Sequence, residues 1–122
     1  MNIMLVDDDR ECLESMTSAL QLAGFQVREF DSPVQALRQY SPQTTDVVIT
    51  DYCLPGMSGI DLLEKIHRID EGAPVIVISG ASKKDTRSRS LRAGACAFFP
   101  KPLNFHRIIS KIKQFSTPKG NS

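Results

Sequence analysis

Four places in the chain carry side chains that could act together on a phosphoryl group. Asp7, Asp8 and Asp9 follow the apolar run Ile3 to Val6, and Asp51 follows "DVVIT". Ser79 ends "PVIVIS", and Lys101 stands between Pro100 and Pro102, after "CAFF". Each of these apolar runs is short enough to read as a buried strand. Carboxylates gathered this closely ionise comfortably only with a cation among them. Hard oxygen ligands, with room left for water and a substrate phosphate, are what Mg²⁺ takes. Asp51 would then be the nucleophile, with the metal and Lys101 neutralising charge on the transferring oxygens. Each feature alone has a plainer reading. An Asp after a strand often caps the next helix, an acid cluster often forms a solvated rim, and a lone Lys is more often surface. The coincidence at four strand ends is what argues for a site.

The elements needed to position these residues are legible as a βα repeat. The segment 10–23 has Leu13, Met16, Leu20 and Ala23 at helical spacing, and Gly24 follows as a stop. "FQVREF" alternates like a strand. Ser32 and Pro33 stand as N-cap and first helical residue of the next helix. "GIDLLEKIHRI" puts Ile60, Leu63, Ile66 and His67 near one stripe, and "LNFHRIISKIKQF" repeats the pattern with Phe105, Ile108, Ile109, Ile112 and Phe115. "CAFF" reads as a buried strand like 46–50 and 74–79. The stretch 81–95 differs, because Leu91 is its only large apolar residue and five residues are basic. As a helix it would be weakly anchored, since an apolar face supplies most helix stability. Strands alternating with helices predict an α/β domain with a parallel sheet covered on both faces. In such sheets, ligands bind beyond the carboxyl ends of the strands.

Composition narrows the function classes. At 122 residues, 41% hydrophobic and 24% charged, the chain suits one globular domain. It has no apolar run near the roughly 18 residues that cross a bilayer, no signal-peptide pattern and no Gly-rich nucleotide loop. Three separated cysteines, Cys12, Cys53 and Cys96, predict reduced thiols buried as small apolar side chains in a cytoplasmic protein. Charge is unevenly placed. Residues 1–72 hold 13 of 14 acids and five Lys or Arg, a balance of −8, whereas residues 73–122 hold one acid and ten bases, a balance of +9. That predicts an acidic and a basic side.

"MLVDDD", "VVITDYCLPGMSGIDLL", "VIVISGAS" and "AGACAFFPKPLNF" together resemble the receiver domain of two-component response regulators, over residues 2–116. The resemblance implies a doubly wound, flavodoxin-like fold with five helices and a five-stranded parallel sheet in the order 2-1-3-4-5. The receiver would be residues 1–116, with 117–122 a polar tail or the start of a linker. The resemblance implies phosphorylation of Asp51 by a sensor histidine kinase or phosphotransfer protein. Mg²⁺ would be held by Asp7, Asp8, Asp51 and the backbone carbonyl of Cys53. Asp9 falls outside that pair, as cap or rim of the first helix. Ser79 and Gly80 would match the phosphoryl-binding loop, Lys101 the lysine of the motif, Phe98 the switch aromatic, and Lys101–Pro102 a cis bond.

Some positions depart from the common pattern. Ser79 stands where Thr is usual, Gly80 where Ala is frequent, and Phe98 where Tyr is frequent. Cys53 and Ala81 replace polar residues that often position a hydrolytic water, so self-dephosphorylation is expected not to be especially fast. Phosphorylation would reorganise the 83–115 surface, including Lys83, Lys84, Arg87, Arg89 and Arg92, toward an output partner, a fused effector domain or a phosphorylation-dependent homodimer. No membrane contact and no direct nucleic-acid binding are expected of this domain. Two other classes compete. A haloacid-dehalogenase-type phosphatase would need D-x-D-x-[TV] after the first strand, where the chain has "DDDRE". A receiver-like interaction module without phosphorylation would not need all of Asp7, Asp8, Asp51, Ser79 and Lys101. The chain therefore reads as a signalling switch rather than an enzyme.

Overall fold

The architecture was obtained as a computed structural model that describes residues 1–80 and 85–115. Five strands alternate with five helices: β1 Asn2–Val6, α1 Arg10–Leu22, β2 Gln26–Phe30, α2 Pro33–Gln39, β3 Val47–Asp51, α3 Gly59–Ile69, β4 Val75–Ser79, α4 Thr86–Ala93, β5 Ala97–Pro100 and α5 Phe105–Lys113. The strands form one parallel sheet in the order β2-β1-β3-β4-β5, as expected.

Strand alternation divides the core into two layers. Ile3, Leu5 and Ile49 face α1 and α5, meeting Leu13, Met16, Ile108 and Ile112. Met4, Val6, Val48 and Val77 face the other way, onto Ala36 of α2 and Leu62, Leu63 and Ile66 of α3. β3 and β4 are buried along their full length because they are interior and covered on both sides.

The helix caps follow the sequence signals. Asp9 caps α1 and Ser32 caps α2, with Pro33 at its first position. Ser58 and Asp61 form a reciprocal capping box on α3. Gly94 ends α4 with φ 113°, a left-handed conformation that favours glycine.

Three expectations need correction. The α3 stripe runs through Leu62, Leu63 and Ile66, while Ile60 is half-buried at its edge. Among the described residues β5 is an edge strand paired only to β4, and Phe98 and Phe99 are half-buried rather than enclosed. The cysteines are not core residues: Cys12 and Cys96 are half-buried, and Cys53 is exposed in the loop after β3. The weak anchoring expected of this stretch is visible in α4, whose one large apolar residue, Leu91, points outward and is 41% exposed. What α4 buries instead is Thr86 and Ser90, with the Ser90 hydroxyl donating to the Thr86 carbonyl at 2.8 Å. Full burial of a large aliphatic side chain contributes roughly 1.5–3 kcal/mol. α3 buries three such residues and α4 none, so α4 is the more weakly held of the two.

Gly59 fixes how α3 approaches the end of β3. Its N–H donates to the Tyr52 carbonyl at 2.8 Å, and an added Cβ would lie 2.1 Å from the Asp51 carbonyl oxygen. Backbone must move to admit a methyl group. Gly59→Ala is expected to destabilise the fold by about 1–3 kcal/mol, read as a lower urea midpoint at unchanged m-value.

Candidate functional site

The carboxyl ends of β1, β3, β4 and β5 meet at one rim, and the βα repeat is what brings them there. Asp7 follows β1 directly and is fully buried. Its Oδ1 accepts from the Asp9 N–H at 3.0 Å, and its Oδ2 from Lys101 Nζ at 3.0 Å. Asp51 closes β3 and is 7% exposed. Its Oδ1 accepts from the Cys53 N–H at 3.2 Å, and its Oδ2 also accepts from Lys101 Nζ at 3.0 Å. One ammonium thus bridges two buried carboxylates from strands 44 residues apart. Asp8 is exposed, yet its carboxylate, with those of Asp7 and Asp51, completes a group of oxygens within 4.8 Å of one another. Ser79 is buried at the end of β4, and its carbonyl accepts from the Lys101 N–H at 2.8 Å. The Lys101–Pro102 bond is cis.

Crowding shows in the protonation of each group. For Asp7, burial pushes the pKa up, but the Asp9 amide, the Cys12 thiol and Lys101 together hold it below the ordinary carboxylate range. For Asp51, burial wins, aided by the nearby Asp7 charge, and the carboxyl sits above that range despite Lys101. Lys101 loses hydration, but hydrogen bonds to Asp51 and Asp7 outweigh that and hold its pKa well above that of a free lysine. The ammonium therefore stays charged, and the strain of the site falls on Asp51.

Asp9 lies apart from the cluster. Its side chain turns to α1, accepting from the Glu11 and Cys12 N–H groups at 3.0 and 3.4 Å. That is the cap role expected of the third acid. Asp9→Ala should cost about 0.5–2 kcal/mol of stability, measured by urea denaturation, while phosphoryl uptake persists.

The remaining predicted residues are spread more widely. Gly80 is exposed beside Lys101, whose Cδ would lie 3.5 Å from an added Cβ. Phe98 is paired in register with Val77 and packs against the α3 side of the core, at the margin rather than within it. Lys83, Lys84 and Ala81 lie outside the described residues, as does the segment 117–122. Arg87 and Arg92 are exposed on α4. Arg89 is not a free surface charge: it pairs with Asp85 at 2.9 Å and hydrogen-bonds Tyr52, the residue after Asp51.

Two neighbours escaped the sequence reading. Cys12 hydrogen-bonds Asp7, and burial together with that partner pushes its thiol up to about 12. Its position three residues after the cap Asp9, on the turn facing back toward β1, is a signal that could have shown it. The Tyr52–Arg89 contact had no signal, because it depends on how α4 lies over the loop after β3.

The model of the response regulator receiver domain matches residues 3–113. The chain belongs to the response regulator receiver family. This receiver is 32% identical over 112 residues to the phosphoglycerate transport system transcriptional regulatory protein PgtA of Salmonella typhimurium, covering 92% of this chain and 27% of that protein. It is 33% identical over 113 residues to the C4-dicarboxylate transport transcriptional regulatory protein DctD of Rhizobium meliloti, covering 93% of this chain and 25% of that protein. The receiver thus spans about a quarter of these two regulators. Among solved structures, a CheY-like receiver domain protein from Methanospirillum hungatei superposes with a TM-score of 0.84 at 32% identity, covering 93% and 90% of the two chains. A receiver domain protein from Clostridium thermocellum gives 0.88 at 28% identity, covering 93% and 92%. Among the described residues of this receiver, no helix is long and apolar enough to cross a membrane.

Proposed function

We propose that this receiver is a cytoplasmic phosphorylation switch in which Asp51 takes a phosphoryl group from a histidine kinase or phosphotransfer protein. The observation that carries the reading is Lys101 Nζ lying 3.0 Å from both Asp7 and Asp51, inside a three-carboxylate cluster. An Asp51 oxygen attacks phosphorus, the phosphorus–nitrogen bond of the donor phosphohistidine breaks, and the imidazole leaves with that electron pair.

Hard carboxylate oxygens within 4.8 Å of each other fit Mg²⁺. Asp7, Asp8 and Asp51, with the Cys53 carbonyl, would hold it. When bound, Mg²⁺ neutralises negative charge shared by the carboxylates and the phosphoryl oxygens. The chain's own groups do the rest. Lys101 supplies a fixed positive charge, the Asp9 N–H orients Asp7, and the Cys53 N–H orients Asp51. Ser79 and Gly80 form the loop that meets the phosphoryl group.

A phosphoryl group adds about −1.5 to −2 charge at Asp51. Ser79 and Lys101 are drawn toward it, and the vacated space is filled by Phe98 from the core margin. α4, held by Thr86 and Ser90 rather than by large apolar residues, is the element that shifts. The 83–115 surface, including Arg87, Arg89 and Arg92, then presents the output state to a partner or fused effector domain. Residues 1–116 act as the phosphoacceptor domain, and 117–122 is a polar tail or the start of a linker. Acetyl phosphate with Mg²⁺ should add one phosphoryl group by intact mass. No adduct, or an adduct formed equally in excess EDTA, overturns the reading.

A further inference from the structure

β2 and α2 border a cleft of about 390 Å³, lined by Arg28 and Phe30 of the strand and by Gln35, Arg38 and Gln39 of the helix. Spacing places all five there. Arg28 and Phe30 are two apart on β2 and share one face, on which Phe30 packs against the cluster that includes Ala36 of α2. Gln35, Arg38 and Gln39 stand at i, i+3 and i+4, one stripe of α2. Arg28 Cζ lies 5.5 Å from the Phe30 ring centroid, and Arg28 Nη2 donates to Gln39 Oε1 at 3.3 Å.

The two arginines run against the charge of their surroundings. Residues 1–72 hold 13 acids and only five Lys or Arg. Yet among the described residues neither Arg28 nor Arg38 has a carboxylate within ion-pair distance. The acids nearest in sequence turn toward α1 instead. Glu29 accepts from the Thr17 hydroxyl, and Glu29 and Asp31 each lie 3.8 Å from the Arg10 guanidinium. A charge on an edge strand deters pairing with another strand, which accounts for Arg28. That role asks nothing of Arg38, Phe30 or the two amides.

Together the five side chains offer what a phosphate on a planar carrier needs. One guanidinium fork matches the two oxygens of a carboxylate, whereas two forks on separate elements suit a phosphate ester, which has a third oxygen. The half-buried Phe30 leaves ring surface on which a base can stack. The Gln35 and Gln39 amides carry both donors and acceptors for the edge of that base. The cleft lies within the size range of small-molecule sites. Side chains rather than backbone would meet the phosphate, so no Gly-rich loop is required.

We propose that the β2–α2 cleft binds a nucleoside monophosphate, its phosphate between Arg28 and Arg38 and its base against Phe30. The test is titration of the full chain with AMP, CMP, ribose 5-phosphate and inorganic phosphate, followed by backbone amide NMR. EDTA is present throughout, so that no metal recruits phosphate to the Asp51 rim. At least one nucleotide should shift signals within 28–39 and bind roughly tenfold more tightly than ribose 5-phosphate. It should bind roughly tenfold more weakly to Arg38→Gln and to Arg28→Gln. Both residues are exposed, so both variants should keep the wild-type urea midpoint and phosphoryl uptake. Inorganic phosphate or ribose 5-phosphate binding as tightly as both nucleotides marks an unspecific anion patch and overturns the proposal. So do an absence of shifts at millimolar nucleotide, shifts confined to other segments, or unchanged binding to both variants.

Discussion

Asp51→Asn is expected to abolish the phosphoryl adduct and, at neutral pH without Mg²⁺, to make the fold more stable. Both effects come from one cause. Asp51 is buried beside a second buried carboxylate, and its pKa lies above the ordinary range. A carboxyl with a raised folded pKa costs stability wherever it is ionised, and that cost is relieved as pH falls through the folded pKa. Asparagine carries no charge and keeps one oxygen, which can accept from Lys101 or from the Cys53 N–H though not from both as the two carboxylate oxygens do. The stability gap between Asp51→Asn and the wild type should therefore be widest near neutrality and should narrow toward pH 4. Asp7 behaves in the opposite sense. Its folded pKa is lowered, so its contribution is present above the unfolded value and is lost as pH falls through the folded one. Urea denaturation in EDTA across that range reads both. A gap that widens on acidification, or an asparagine variant less stable at pH 7, contradicts the assignment of the site's strain to Asp51.

Lys101→Ala should produce the largest loss of stability. Its ammonium is the one cation within ion-pair distance of Asp7 and Asp51 among the described residues, and both carboxylates are buried. Removing one partner of a buried ion pair leaves an uncompensated charge and costs about 3–5 kcal/mol. Here two carboxylates would face each other without it. Mg²⁺ should recover part of the loss, by mass action on the folded state alone. A second substitution should recover more: Lys101→Ala with Asp51→Asn is expected to be more stable than Lys101→Ala alone. That non-additivity is what coupled groups show in a double-mutant cycle. The phosphorylation rate of Lys101→Ala should fall even with saturating Mg²⁺, because a fixed charge at the phosphoryl oxygens has gone. A neutral Lys101→Ala, or strictly additive effects with Asp51→Asn, would count against the bridging role.

The fold was legible because the signals that specify it are local. Short apolar runs, Ser32 before Pro33 and Gly24 after Ala23 each mark a boundary within a few residues. The site was legible for a related reason. In a parallel sheet every strand points the same way, so residues that end strands share one rim whatever their separation in sequence. Strand order came from the family resemblance. What stayed hidden depends on rotation of elements about their own axes. Composition showed that α4 would be weakly anchored, but not that it turns Thr86 and Ser90 inward and leaves Leu91 exposed. "CAFF" has the composition of an interior strand, yet among the described residues nothing pairs beyond β5. Which of the three acids at the end of β1 point inward is a backbone matter as well. Asp7 goes into the core, Asp8 goes to the rim, and Asp9 turns back onto the first turn of α1.

The central claim is that the phosphoryl group is carried by Asp51 and by neither of its two acidic neighbours. An aspartyl phosphate is an acyl phosphate, which borohydride reduces to homoserine while free carboxylates are left unchanged. Treating the chain with acetyl phosphate and Mg²⁺, reducing it, and sequencing its peptides by mass spectrometry locates the modified residue directly. Homoserine at position 51, dependent on Mg²⁺, is the predicted result. Homoserine at position 7 or 8, or none at position 51, would contradict it.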